Sequence, residues 1–296
     1  RTGSGKTIAF GIPLVANLAD NVAQKRRPNK PRAIVLAPTR ELVTQIAESI
    51  KMLADPMGVK VTTIFGGVSQ RRQEEVLERG VDIVVAAPGR LDDLMKQGVV
   101  DLSSVEITVL DEADHMADMG FLPVVTRILN KTPKVGQRLL FSATLDNGVD
   151  NVVKRYLHDP ILHSVDSAES PVPQLTHHVF EIAGKDQKDA LIEALASGAA
   201  RRIFFTRMKH QAKRLAKQLT AAGIPAVELQ GNLSQNARDR NLAEFVSGDA
   251  RVLVATDVAA RGVHVDGVEL VVHIDPPVEH KAYLHRSGRT ARAGNE

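Results

Sequence analysis

The chain has 296 residues, 43% hydrophobic and 25% charged, a composition that suits a folded chain and, at roughly 100–200 residues per domain, two domains. Cysteine is absent, which excludes disulfides and thiolate metal sites, and no apolar run reaches the ~18 residues of a membrane span. The net charge of +3 permits a polyanionic partner without demanding one, and with 3% aromatics and no tryptophan a nucleic acid would be gripped by its backbone, not by stacked bases.

The first ten residues read RTGSGKTIAF. In a loop of the form GxxxxGK[ST], backbone amides and a helix N-terminus converge on an anion. Gly3, Gly5, Lys6 and Thr7 fit that form, and its first glycine would precede Arg1. Thr2, Gly3, Ser4 and Gly5 would cradle phosphates, Lys6 would reach the terminal ones, and the Thr7 hydroxyl would sit on Mg²⁺. The helical pattern IAFGIPLVANLA follows directly.

Short β-branched runs then alternate with helical segments: RAIVLA (32–37), VKVTTIF (59–65), VDIVVAA (81–87), VEITVL (105–110) and RLLFSA (138–143), with ELVTQIAESIKMLA (41–54) and SQRRQEEVLERG (69–80) between them. Strands apolar throughout predict a parallel sheet covered on both faces. The basic run KRRPNKPR (25–32) reads as a solvated loop. VEITVL ends in Asp111 and Glu112, adjacent carboxylates at a strand end. Asp111 would hold the magnesium shell and Glu112 would orient or activate the attacking water.

Ser, Pro and Asp gather around 166–174, which predicts a linker between a domain at 1–165 and another at 175–296. The alternation then restarts with RIFFT (202–206), PAVEL (225–229), RVLVAT (251–256) and VELVVHI (268–274), interleaved with helices at 210–223 and 234–248. Both halves read as α/β units.

Taken together, TGSGKT, PTREL (38–42), Gly66-Gly67, APGR (87–90), Asp111-Glu112-Ala113-Asp114, SAT (142–144), ATDVAARG (255–262) and HRSGRTARAG (285–294) resemble, in order, the motifs of the DEAD-box family of ATP-dependent RNA helicases. The resemblance implies two tandem RecA-like domains, ATP and Mg²⁺ as cofactors, and RNA as the partner; the composition, without an apolar span, a cysteine or a leader, points to a cytoplasmic, membrane-free setting. It implies RNA-backbone contacts from Pro38, Thr39, Arg40, Gly66, Gly67, Pro88, Gly89 and Arg90, and from Gly231 and Thr256 in the second domain. The glycines read equally well as simple turn residues. Ser142 and Thr144 would couple ATP to RNA with Asp114 and His285, or would merely cap a helix.

Asp257 and His264 fall at nucleotide-facing positions, His264 where the family carries a ribose-holding aspartate. Ala87 and Gln230 also depart from the family's Thr and His. Arg289 and Arg292 would reach the γ-phosphate across a closing cleft, the alternative being an ordinary basic helix face. A first strand and an adenine-recognising segment are expected before Arg1, a final strand and helix after Glu296, and any protein partners through tails outside these residues. A non-catalytic RNA-binding module and a DNA translocase are the rival readings.

Overall fold

The computed structural model describes residues 5–20, 26–145, 148–163, 176–260, 265, 267–277, 283, 286 and 287. The predicted linker at 166–174 lies outside them. The chain divides into two compact units, one of residues 5–164 and one built from the residues after 164. No helix among the described residues is long and apolar enough to cross a membrane.

In the first unit the elements run α1 (Lys6–Ala19), β1 (Ala33–Leu36), α2 (Arg40–Ala54), β2 (Val61–Ile64), α3 (Gln70–Glu78), β3 (Ile83–Ala86), α4 (Pro88–Lys96), β4 (Ile107–Leu110), α5 (Ala113–Asp118), α6 (Leu122–Leu129), β5 (Gln137–Leu140) and α7 (Val149–Tyr156). The five strands are parallel in the order β2-β3-β1-β4-β5. Strand side chains alternate between faces, so each strand feeds two cores. Ile34, Leu36, Val84, Ala86 and Leu110 pack under α3 to α7 with Leu77, Leu91, Met116, Val125 and Val152. Ala33, Val35, Ile83, Val85 and Val109 pack against Phe10 and Leu14 of α1 and Val43, Ile46 and Ile50 of α2. Each of the larger apolar side chains buried this way stabilises the unit by about 1.5–3 kcal/mol relative to exposure.

The expectation of strands apolar throughout holds for the interior strands β1 and β3, is broken in interior β4 by the buried Thr108, and fails at the edges. There β2 and β5 are covered less and carry Thr62, Thr63, Gln137 and Arg138. The basic run also departs from its reading as a solvated loop. Arg26 pairs with Asp82 at 2.6 Å, Lys30 with Asp101 at 2.8 Å, and Arg32 with Glu106 at 2.7 Å. Asp82 and Glu106 immediately precede β3 and β4, so the run clasps the N-terminal edge of the sheet, opposite the edge that carries the motifs.

The second unit comprises α8 (Lys185–Ala196), β6 (Arg201–Phe205), α9 (Lys209–Ala221), β7 (Ala226–Leu229), α10 (Gln235–Ser247), β8 (Val252–Ala255), α11 (Asp257–Ala260) and β9 (Val268–His273). Its parallel strands lie in the order β7-β8-β6-β9. Counted within each unit, both sheets follow second, third, first, fourth. Ile203, Phe205, Leu253 and Ala255 face a core with Phe245 of α10, while Phe204, Val252 and Val254 face one with Ala212 and Leu219 of α9.

Candidate functional site

Strand registers in the first sheet pair Leu36 with Ala86 and Leu110, Ile64 with Ala86, and Leu110 with Leu140. The C-terminal ends of all five strands are therefore level, and the loops that leave them share one edge. Such an edge is where open parallel sheets place their ligands. The strand order also sorts the motifs. PTR after β1, PGR after β3 and Gly66-Gly67 after β2 occupy three adjacent strands, while DEAD after β4 and SAT after β5 occupy the other two.

On the DEAD side, Gly5 caps α1 in the left-handed conformation at φ 73, and the first turn of the helix carries no acidic residue. Its opening amides thus meet no acidic side chain from the helix's own first turn, which leaves the positive end of the helix dipole suited to an anion. The Nζ of Lys6 lies 3.8 Å from Oδ1 of Asp111. Asp111 is 3% exposed, and its burial pushes the carboxyl up to about 6 against the opposing pull of Lys6, with the charges of Glu112 and Asp114 adding to the rise. A buried, crowded carboxylate beside a phosphate-binding loop fits Mg²⁺, a cation that takes one or two carboxylates and keeps water and phosphate as its other ligands.

Glu112 is a non-glycine residue in the left-handed region, φ 50 and ψ 51, a conformation that costs about 1–3 kcal/mol and recurs at functional sites. Its carboxylate lies 2.9 Å from Nδ1 of His115. Two bonds stitch the box to SAT: Ala113 N–H donates to Phe141 O at 3.0 Å, and Asp114 N–H to Ser142 Oγ at 3.1 Å. Ser142 Oγ in turn donates to Thr144 O at 2.5 Å. Ser142 thus caps a helix, as the simpler reading expected, but the helix is α5, which begins inside the box.

On the other three strands, Thr39 caps α2 by accepting from Leu42 N–H at 3.3 Å, which leaves its own hydroxyl hydrogen for an acceptor. The Arg40 guanidinium lies over the Phe65 ring, 4.8 Å from its centroid. It also lies against Gly67, where a Cβ would come within 2.5 Å of Arg40 Nη1 and where φ is +79. Gly66 has neither constraint. Pro38 and Pro88 are buried, so they shape their turns, and Pro88 opens α4 at a position where no N–H is needed. Gly89 faces open space, and Arg90 keeps Nη1 buried with no hydrogen-bond partner among the described residues.

In the second unit, Lys209 approaches Gly231 and donates to Asn232 at 2.9 Å. Gln230, in place of the family's histidine, accepts from Asn232 N–H at 2.7 Å and so pins the loop. Thr256 is buried, and its carbonyl accepts from Ala259 and Ala260 at 3.0 and 2.9 Å. Asp257 is held by Arg286 through both carboxylate oxygens, at 2.6 and 2.7 Å. Arg286 is 3% exposed, lies over Phe205, and donates to Asp275 O at 2.8 Å. Nearby His273 is pushed down to about 4 by burial and by Arg286, so its neutral Nδ1 accepts from the guanidinium at 3.2 Å.

Thr2, Gly3, Ser4, His264, His285, Arg289 and Arg292 lie outside the described residues. Sequence reasoning missed His115, Lys209 and Arg286. Arg286 sits inside HRSGR and His115 directly follows the box, so position within a motif was the available signal.

Residues 1–152 match the DEAD/DEAH box helicase family, and residues 186–294 match the helicase conserved C-terminal domain. The ATP-dependent RNA helicase RhlB of Pseudomonas aeruginosa is 42% identical over 98% of this chain and 74% of its own length. The ATP-dependent RNA helicase dbp3 of Aspergillus terreus is 39% identical over 100% of this chain and 61% of its own. Among solved structures, S. cerevisiae Dbp5 bound to RNA and ADP BeF3 superposes with a TM-score of 0.84 at 29% identity, covering 100% of this chain and 75% of that one. A DEAD box protein from Methanococcus jannaschii gives 0.51 at 34% identity, over 100% and 78%. With two parallel α/β units of one strand order, a lysine and a buried aspartate meeting at a strand edge, and these matches along nearly its whole length, the chain belongs to the DEAD/DEAH box helicase family.

Proposed function

We propose that the protein is an ATP-dependent RNA helicase that clamps RNA by its backbone, hydrolyses ATP when RNA is bound, and releases the strand afterwards. The observation that carries this reading is the sorting of motifs along one sheet edge, a phosphate-binding half beside a nucleotide half. Relatives at about 40% identity bear the name ATP-dependent RNA helicase, and Dbp5 has been solved with RNA and ADP BeF3.

In this reading the α1 amides and Lys6 hold the β- and γ-phosphates. Thr7 and Asp111 would hold Mg²⁺, which when bound neutralises charge on the phosphate oxygens. Glu112 takes a proton from water as the water oxygen bonds to the γ-phosphorus. The bond from that phosphorus to the bridging oxygen breaks, and ADP carries the electron pair away. Arg289 and Arg292 supply charge to the γ-phosphate. Thr39, Arg40, Gly66, Gly67, Gly89 and Arg90 of the first unit, with Gly231 and Thr256 of the second, face RNA phosphates and sugars, which gives low sequence specificity and local unwinding of short duplexes. Asp257 serves as the anchor of Arg286 and so joins ATDVAARG to HRSGR.

Lys6→Ala and Glu112→Gln separate the roles. Lys6→Ala should abolish ATP binding, whereas Glu112→Gln should bind ATP and RNA, fail to hydrolyse, and form a long-lived complex. Equal loss of ATP-dependent RNA affinity in the two variants would refute the division of labour. RNA binding without RNA-stimulated hydrolysis in the unmodified protein would favour a non-catalytic module.

A further inference from the structure

Glu112 stands at the N-cap of α5, where a carboxylate ordinarily turns back to accept an amide of the first helical turn. Here it makes no such cap bond. The amide of Asp114, which the cap would have taken, donates to Ser142 Oγ from the next strand. The left-handed backbone at Glu112 turns the side chain elsewhere. One helical turn on, His115 meets it: Nδ1 lies 2.9 Å from Oε2.

The ring is 7% exposed, and its Nε2 is buried without a hydrogen-bond partner among the described residues. A carboxylate accepts and cannot donate, so the hydrogen must be on Nδ1. Nε2, whether it bears a lone pair or a hydrogen, is left unsatisfied, a penalty that a purely space-filling phenylalanine or leucine would avoid. The side chain at this position is therefore better explained by its donor than by its volume.

We propose that His115 is a positioning residue for Glu112. Its Nδ1–H fixes Oε2, and with Oε2 fixed the plane of the carboxylate and the direction in which Oε1 meets the attacking water are set before the nucleotide arrives. Ser142 and the left-handed backbone complete the arrangement by keeping Glu112 from the cap. This inference rests on the reading of Glu112 as the group that takes the proton from water.

The test is RNA-stimulated ATP hydrolysis by the full-length protein and three variants, with kcat and KM separated. His115→Ala should lower kcat by about 10- to 100-fold, the scale of a misplaced catalytic group, with KM for ATP and RNA affinity within about twofold of the parent. His115→Asn places an amide Nδ2–H where Nδ1–H was and should recover most of kcat, whereas His115→Phe fills the volume without a donor and should not. Because His115→Ala could also loosen α5, the Asn and Phe variants are compared below their melting temperatures. Parent-like kcat in His115→Ala, or equal recovery by Phe and Asn, overturns the positioning role. Glu112→Gln is the separate control: continued hydrolysis by that variant overturns the reading of Glu112 itself, while its inactivity alongside a fully active His115→Ala overturns only the role of His115.

Discussion

Adjacent glycines at 66 and 67 look interchangeable in sequence and should behave very differently when each is replaced by alanine. At Gly67 the new Cβ meets Arg40 Nη1 at 2.5 Å and Cζ at 3.5 Å, on a backbone at φ +79, whereas at Gly66 it meets nothing within 4 Å. A Cβ in the left-handed region costs about 1–2 kcal/mol. Swinging the guanidinium off Phe65 to relieve the contact forfeits a cation–π interaction of about 0.5–1 kcal/mol. Gly67→Ala should therefore lower stability by about 2 kcal/mol, and Gly66→Ala by no more than about 0.5 kcal/mol. On the proposed reading of Arg40 as an RNA-backbone contact, displacing it also removes one phosphate contact. RNA affinity should fall roughly tenfold, and the slope of log K against log salt should shrink by about 0.7. Arg40→Ala should have the same effect on RNA, and the double variant should lose no more than Arg40→Ala alone, because both act through one guanidinium. Urea titration reads the stability, and fluorescence anisotropy of a labelled single-stranded RNA across a salt series reads the affinity. Additive losses in the double variant, or a Gly66→Ala protein as weak on RNA as Gly67→Ala, would refute the claim that Gly67 exists to seat Arg40.

Two further outcomes follow from buried charge. Because the Asp111 carboxyl sits at about 6 in the folded protein and 3.8 as its ordinary value, nucleotide-free protein loses stability as pH rises from about 4 through 6. Asp111→Asn, which cannot ionise, should exceed the parent above pH 6 by at most about 3 kcal/mol and lose that advantage toward pH 4; a difference in melting behaviour that does not change with pH would refute this. Arg286→Lys keeps the charge but not the fork that grips both oxygens of Asp257, and should cost about 2 kcal/mol by urea titration of the second unit, a midpoint unchanged from the parent being the contrary result.

Strands and motifs were legible in the sequence because each is a local pattern. RAIVLA became β1 and VDIVVAA became β3 within two residues at either end, and PTREL, DEAD and SAT all fell on strand ends as read. Two of the helices that went unread fail local patterning for identifiable reasons. Helix α4 opens on Pro88-Gly89, which looks like a turn, and α5 is six residues long and starts from a left-handed glutamate. Strand order was not legible, since the adjacency of β1 to both β3 and β4 is decided by packing between residues about 50 to 75 positions apart. The partners of the basic run were hidden for the same reason. Arg26, Lys30 and Arg32 are near one another in sequence, but Asp82, Asp101 and Glu106 reach them only once the sheet has formed. His115 and Arg286 were present inside or beside recognised motifs, and only geometry, the ring against Glu112 and the guanidinium on Asp257, singles them out.

The seam between β1 and β4 has a mechanical meaning. It is the one line along which the three strands bearing PTR, PGR and the glycine pair are hydrogen-bonded to the two bearing DEAD and SAT, and it is four residues long, Ala33 against Ile107 to Leu36 against Leu110. Its last rung is the amide of Asp111 on the carbonyl of Leu36 at 2.9 Å. One residue, Ala37, separates that carbonyl from Pro38. Because this rung ends a seam four residues long, a displacement of the Asp111 main chain along the strand axis would strain the rung or draw the PTR turn with it, so the two halves of the motif edge are tied main chain to main chain.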